Sequence, residues 1–197
     1  MGPHEDVVGH GTACAGIIRA LAPDAEIHSV RVLGPQFKGR GLLFHGGIRW
    51  AVDHHMAVAN LSLSSKSEAM FGPLHEVADA AYFGRTLLVS AANNQPGPTY
   101  PSQYASVVSV AARPGDDPWA LAYNPRPPVE FGARGIDVDV AWGAGQSIVA
   151  TGKLRGPARG RDGRGAARQA PRAHAVPGEG RPPGRQRQRR GCVISTP

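Results

Sequence analysis

Cysteine is scarce in this sequence, and long apolar segments are absent from it. The 197 residues include only Cys14 and Cys192, too few for a disulfide framework. No apolar stretch approaches the roughly 20 residues that span a membrane, and no apolar signal segment follows Met1. We therefore expect a cytoplasmic protein with no membrane partner, in which Cys14 is a packed core thiol.

The last quarter of the sequence has almost no large apolar residues, and no serine lies between Ser147 and Ser195. Residues 153–197 contain 12 Lys+Arg but only 2 Asp+Glu, and they account for the net charge of +7 of the whole chain. A segment of this composition cannot bury a core, so we predict that it is a disordered basic tail. The composition changes near Gly152, which makes residues 1–152 the folded part.

Apolar residues in this first part follow two different periods. Short β-branched runs predict strands, and apolar residues three or four positions apart predict helices. The predicted strands are 26–33, 57–63, 86–91, 106–112 and 136–141, and the predicted helices run from His10 to a stop at Pro23, over 42–56, and from Pro73 to Gly84. Such alternation implies an α/β fold, a parallel sheet with helices on both faces. Its ligand crevice would lie at the carboxyl ends of the strands.

The most informative stretch is residues 6–16, which read D-V-V-G-H-G-T-A-C-A-G. His10 stands between two glycines, and tiny residues follow it from Ala13 to Gly16. This pattern predicts a helix that begins at His10 and packs very closely on its neighbour. The imidazole would then lie at the edge of a packed surface and face a cleft, where a general base can act. A surface histidine at a helix start fits the same short pattern.

The longer string G-H-G-T-A-C-A-G at 9–16 resembles the histidine motif of the subtilisin-like serine proteases, the subtilase or peptidase S8 family. Further matches follow, in the order of that family, up to residue 112. The resemblance implies a three-layer subtilisin-like fold and hydrolysis of a peptide or protein substrate, with His10 as the general base.

Two segments resemble the parts of that family that bind substrate. N-L-S-L-S-S at 60–65 resembles the segment that pairs with an extended substrate, and the resemblance implies that Ser62, Leu63 and Ser64 line the pocket for the residue before the cut. The segment 100–112, which begins Y-P-S-Q-Y, resembles the loop and strand that close the same pocket. Taken alone, 60–65 also fits a strand end followed by a serine-rich loop.

V-S-A-A-N-N-Q-P-G at 89–97 resembles the oxyanion segment of the family. Asn94 matches the asparagine whose amide donates to the oxyanion, and Ala91, Ala92 and Asn93 belong to the substrate-binding strip beside it. The family usually has glycine where Asn93 stands, but asparagine tolerates the left-handed backbone conformation. Either Asn93 or Asn94 could therefore point into the site, and an Asn-Asn turn before Pro96 is the alternative.

The catalytic triad of the family is incomplete in this sequence. The mechanism needs an aspartate, a histidine and a serine, in that chain order. The aspartate of the family lies tens of residues before the histidine, but only nine residues precede His10; Asp6 is on the same loop and outside that motif. The serine motif should follow residue 150, where the chain instead reads K-L-R-G-P-A-R-G from Lys153.

A change of reading frame would explain this tail. Arg, Gly, Pro and Ala dominate when a GC-rich gene is read in a wrong frame. With wobble bases left free, a one-base shift within the Lys153 codon can read T-G-S-F-A-A-P-H-V-A-G-M from Thr151. That string resembles the serine motif of the family. We hypothesise that residues from about 153 onward are a frameshift product, which the nucleotide sequence can test.

The sequence therefore predicts a partial subtilisin-like serine endopeptidase domain that is inactive in this chain, because serine and histidine act as a unit. One alternative is a non-catalytic pseudoprotease that binds extended peptides along 62–65 by strand addition. Another is non-specific nucleic-acid binding through R-Q-R-Q-R-R at 185–190, which lacks aromatic residues and a folded scaffold, so we rank it last. We expect a monomer without a cofactor. We also expect no metal site, because the candidate metal ligands form too weak a set: His4, Asp6, His54 and His55.

Overall fold

The computed structural model describes residues 6, 8–34, 39–92, 97–126, 128–142 and 145–151, and the backbone of 190–195. Helices and strands alternate through the first half of the chain. The elements in chain order are α1 (His10–Leu21), β1 (Glu26–Arg31), α2 (Gly41–Asp53), β2 (Val58–Leu61), a 3-10 turn (Glu68–Met70), α3 (Phe71–Phe83), β3 (Leu87–Ala91), β4 (Val108–Arg113), β5 (Ala122–Tyr123), β6 (Phe131–Arg134), β7 (Val138–Ala141), β8 (Ser147–Ala150) and β9 (Arg190–Ser195).

The main sheet has seven strands in the order β1-β9-β2-β3-β4-β6-β5. All neighbouring pairs are parallel except β5 and β6. The chain passes from β1 through α2 to β2, and from β2 through α3 to β3, moving across the sheet in one direction. Because such crossovers are right-handed, α2 and α3 cover the same face.

Strand β2 shows where α1 lies, because successive side chains of a strand point to opposite faces. Ala59 and Leu61 are fully buried in the core that α2 and α3 build. Ser62 has the opposite orientation, and its hydroxyl contacts Cys14 of α1. Helix α1 therefore covers the other face, which confirms the predicted α/β fold with helices on both faces.

The core between the sheet and the α2–α3 pair follows from the apolar spacing of those helices. The fully buried helix residues are three or four positions apart, as a core-facing stripe requires: Ile48, Ala51, Leu74, Val77, Ala78 and Ala81. Full burial of a side chain such as Ile48 stabilises the fold by about 1.5–3 kcal/mol. Gly84 ends α3 as predicted, with its N–H donating to the carbonyl of Ala80. Within the described residues, no helix is long and apolar enough to cross a membrane.

Two predicted segments differ from the structure. The strand predicted at 136–141 exists as β7, but it pairs with β8 in a separate antiparallel hairpin outside the parallel sheet. Residues 190–195, predicted to belong to the disordered tail, form β9 in the middle of the main sheet. The pairing partners of β9 lie far away in sequence, so the composition of the tail gives no sign of them. The rest of the tail, 153–189 and 196–197, lies outside the described residues.

Candidate active site

The start of α1 is held by the carboxylate of Asp6. One carboxylate oxygen accepts a hydrogen bond from the Gly9 N–H at 2.7 Å, and the other accepts the Thr12 N–H and the Thr12 hydroxyl, both at 2.6 Å. These bonds satisfy backbone donors that a helix start leaves without partners. Asp6 therefore positions the residue between them, His10, by fixing the backbone on both sides of it.

Hydrogen bonding also sets the charge state of Asp6. Partial burial raises the pKa of its carboxyl, but the hydrogen bonds from Thr12 and Gly9 outweigh burial, and the pKa lies below its ordinary value. The carboxylate is thus an ionised cap, and the negative charge at a helix N-terminus is favourable.

Gly9 is the position where this helix start tolerates no side chain. Its φ is 92°, in the left-handed region that favours glycine. A Cβ built at Gly9 would lie 2.6 Å from Cε2 of Trp142, well inside van der Waals contact. Further along α1, a Cβ at Gly16 would lie 3.4 Å from that of Ala141 on β7. The small residues of α1 thus permit close packing, as the sequence predicted.

His10, Cys14 and Ser62 form a cluster between α1 and the end of β2. His10 and Cys14 are four residues apart on one helix face, and Nε2 of His10 lies 3.9 Å from the Cys14 sulfur. That sulfur lies 3.2 Å from the Ser62 hydroxyl, which in turn accepts a hydrogen bond from the Asn60 amide at 2.9 Å. Cys14, expected only as a core thiol, is therefore a direct neighbour of the proposed base.

Burial shapes the ionisation of this cluster. It lowers the pKa of His10, and the nearby backbone of Ser62 and the charge of Asp6 offset only part of that effect. Burial also raises the pKa of the Cys14 thiol, although its contact with Ser62 opposes this. The cluster is therefore a neutral imidazole beside a protonated thiol, and a neutral imidazole is the form that accepts a proton.

The Nδ1 atom of His10 is the unsatisfied atom of this site. It is buried, and among the described residues it has no hydrogen-bond partner. A buried polar atom without a partner costs about 1–3 kcal/mol. In the serine protease mechanism, a carboxylate accepts a hydrogen bond from this nitrogen and orients the ring. Asp6, which supplies the carboxylate among the described residues of this loop, is already engaged by Gly9 and Thr12.

The predicted substrate-binding residues lie at the carboxyl edge of the sheet. The register pairs Leu61 of β2 with Ser90 of β3, so the next residues, Ser62 and Ala91, are neighbours at that edge. Ala92 follows directly, with its N–H donating to the Val110 carbonyl at 2.8 Å.

Beyond Ser62, the chain runs through Leu63 and Ser64 to Ser65, which pairs with Tyr100 through two hydrogen bonds of 2.8 Å. The structure thus places Ser62, Leu63 and Ser64 between the end of β2 and this bridge. Asn93 and Asn94, the proposed oxyanion residues, lie outside the described residues.

An aromatic cluster that the sequence analysis did not identify holds the 100–104 loop against α3. Tyr104 donates its hydroxyl to the Phe71 carbonyl at 2.7 Å, and burial raises the pKa of that hydroxyl to about 12. Phe71 meets Tyr100 and Tyr104 edge-on, with ring centroids 5.2 and 5.6 Å apart. These contacts fix Tyr100, and through its bridge they fix Ser65 at the end of the substrate segment.

A histidine at a helix start, beside strand ends at the carboxyl edge of a parallel sheet, is typical of α/β enzymes that bind their ligands there. Comparison with known proteins narrows this class. Residues 2–172 match the model of the Subtilase family, peptidase S8. The chain belongs to the subtilase family, as the histidine motif predicted.

Similar proteins support the assignment over most of the chain. The thermostable alkaline protease of Halalkalibacterium halodurans is 31% identical over 160 residues, which are 76% of this chain and 44% of that protein. The minor extracellular protease Epr of Bacillus subtilis is 33% identical over 147 residues, 68% of this chain and 22% of Epr. A solved lanthipeptide protease superposes with a TM-score of 0.53 at 25% identity, over 64% of this chain and 43% of that one. The chain thus spans less than half the length of these relatives.

Proposed function

We propose that this chain is part of a subtilisin-like serine endopeptidase domain and that, as it stands, it does not hydrolyse peptide bonds at a measurable rate. The general base would be His10, the oxyanion donor Asn94, and the substrate strip Ser62–Ser64 with Ala91, Ala92 and Asn93. The substrate would be an extended peptide or a protein segment. Family membership and the position of His10 above the strand ends support this function.

The unpartnered Nδ1 of His10 carries the proposal of inactivity. A triad histidine needs a carboxylate at one nitrogen and a serine hydroxyl at the other. Among the described residues, Nδ1 has no partner, and Nε2 faces the Cys14 sulfur. The serine motif of the family is also absent from the sequence after residue 150. Without a serine nucleophile, the histidine alone retains little of the catalytic rate.

A peptidase assay tests this directly. The purified chain and its His10→Ala variant are incubated with an extended chromogenic peptide, and an active subtilisin serves as the assay standard. We expect both chains to stay at the buffer background. Hydrolysis by the unchanged chain that disappears in the His10→Ala variant would refute the proposed inactivity and would identify His10 as catalytic.

Peptide binding without cleavage is a second function that one observation favours. Within the described residues, no backbone hydrogen bond joins Leu63 or Ser64 to another residue, so their N–H and C=O groups can pair with an added strand. We expect the peptide to bind, and Ser64→Pro, which removes one N–H, to weaken binding. Ser64→Ala is the matched control because it keeps that N–H. Fluorescence polarisation with the labelled peptide measures both, and equal affinity of the two variants would exclude strand addition at Ser64.

The frameshift is a separate proposal about the gene. The family match extends to residue 172, past the proposed shift at Lys153. The nucleotide sequence from codon 145 onward decides between the two origins of the tail. A one-base shift that spells the serine motif would support the frameshift, and a sequence that cannot spell it would exclude it.

A further inference from the structure

The hairpin formed by β7 and β8 packs on α1, the helix that carries the candidate base. A hydrogen bond of 2.7 Å from the Trp142 N–H to the Gln146 carbonyl closes the hairpin just beyond β7. Trp142 lies against Gly9, directly before α1, and Ala141 lies against Gly16 in the middle of the helix. These two glycines are about two helical turns apart, so they are on the same side of α1. The hairpin therefore contacts the helix at its start as well as in its middle.

The half-buried side chain of Trp142 covers Gly9 with the face of its indole. The two atoms nearest to a Cβ built at Gly9 are Cε2 and Cδ2, at 2.6 and 2.7 Å, and these are the atoms that the two rings of the indole share. An approach by the ring edge would bring outer atoms nearest instead. From another direction, the Gly9 N–H donates to the Asp6 carboxylate. Packing as well as a hydrogen bond therefore hold Gly9 at its φ of 92°.

The conformation of Gly9 matters for His10 because glycine is the residue with the most backbone freedom. His10 follows Gly9 directly, so the backbone dihedral angles of Gly9 set the direction in which the His10 side chain leaves the helix start. Among the described residues, no hydrogen bond to Nδ1 orients the imidazole, and the Cys14 sulfur lies 3.9 Å from Nε2. The position of the imidazole therefore depends mainly on the backbone that carries it.

We propose that Trp142 is a positioning residue for His10. The face of its indole fixes Gly9 in the left-handed conformation, and Gly9 in turn sets where the imidazole lies relative to Cys14 and Ser62. The importance of this position for peptide hydrolysis rests on the proposed function of His10 as the general base. The position itself can be measured in a chain that hydrolyses nothing.

An NMR titration of His10 in the full chain tests the proposal, with the His10→Gln variant identifying the resonance. Trp142→Ala should release Gly9 and admit water to the imidazole, so the pKa of His10, which burial lowers, should rise toward 6.5. Trp142→Phe keeps an aromatic face and should preserve most of the lowering. Trp119→Ala is the matched control, because Trp119 is 67% exposed and lies in the turn before β5, at the edge of the main sheet. It should leave the pKa of His10 unchanged.

Alkylation of Cys14 by iodoacetamide is a second measurement. The Cys14 sulfur lies between His10 and Ser62, and the reactivity of a thiol depends on its exposure and ionisation. We expect Trp142→Ala to raise the alkylation rate several-fold and Trp142→Phe to leave it near that of the unchanged chain. Peptide mapping separates Cys14 from the other cysteine of the chain.

Unchanged titration of His10 together with unchanged alkylation of Cys14 in Trp142→Ala would overturn the proposal. Amide protection in β4 reports whether this variant is folded. If it is not, Trp142→Leu decides, because leucine keeps apolar bulk without a flat ring. The proposal then requires the pKa of His10 to move in the leucine variant and not in the phenylalanine variant, and equal values in the two contradict it. Hydrolysis by the unchanged chain would refute the proposed inactivity alone, whereas an unmoved imidazole would refute the role of Trp142 alone.

Discussion

The two faces of β2 differ sharply in chemistry. Ala59 and Leu61 are fully buried beneath α2 and α3, within the main hydrophobic cluster of the protein. Asn60 and Ser62 point to α1, are partly exposed, and lead through Cys14 to His10. One short strand thus serves a core on one side and a polar site on the other. The free energy of unfolding should therefore depend mainly on the α2–α3 side. Substitutions near α1 should change it less, through the backbone conformation at the helix start and through the titration of His10.

The largest effect should come from the core side. Leu74→Ala removes a side chain that is 0% exposed between α3 and the sheet, and such truncations cost about 2–5 kcal/mol of unfolding free energy. Leu42→Ala on α2 is the matched control: Leu42 is 70% exposed, and the expected change is within about 0.5 kcal/mol. Urea denaturation measures both. Similar losses for the two variants would mean that the α2–α3 side is not the stabilising core.

A change at the start of α1 should have an intermediate effect. Gly9→Ala forces a side chain into a left-handed conformation, which costs about 1–2 kcal/mol, and also into Trp142. Gly46→Ala in α2 should instead stabilise by about 0.5–1 kcal/mol, because nothing lies within 4 Å of its Cβ and alanine favours a helix. Thermal unfolding of the two variants should shift in opposite directions. A shift of Gly9→Ala toward higher temperature would contradict the observed helix start.

The smallest effect should be the pH dependence from His10. Burial lowers its pKa below the ordinary value of 6.5, so between the two values the unfolded chain binds more protons than the folded one. The contribution of a neutral His10 to stability is therefore complete above pH 6.5 and decreases as the pH falls below it. His10→Gln should remove this component, which urea denaturation across that pH range would detect. Identical pH profiles for the two chains would contradict a buried, neutral histidine.

Local patterns predict the core strands and helices well, because their signals are contained in a few neighbouring residues. The apolar runs around Val58–Leu61 and Leu87–Ala91 needed no distant information. The short strand Phe131–Arg134, which reads F-G-A-R, shows neither a run nor an alternation, so it could not be predicted. The D-V-D-V alternation before Ala141 correctly indicated a strand, but the strand was assigned to the parallel sheet. Clean alternation instead favours an antiparallel strand with one solvated face.

The candidate site likewise combines features that have a local sequence signal with contacts that only the tertiary structure creates. The position of His10 at a helix start follows from its own glycines and small neighbours. The contact between Cys14 and Ser62 joins residues 48 positions apart, and only the packing of α1 on the sheet creates it. The capping by Asp6 had a local signal, a carboxylate just before a helix start, which would have identified it as a cap. The pairing of β9 had none.

The position of β9 also bears on the order in which the protein assembles. Strand β1 is synthesised early, but its pairing partner follows only after every other strand of the sheet. At about 5–20 residues per second, the ribosome takes on the order of ten to thirty seconds between the two. During that interval, β1 has an unpaired edge while α2, α3 and β2–β4 can already pack. The nascent chain should therefore need protection from aggregation for longest at strand β1.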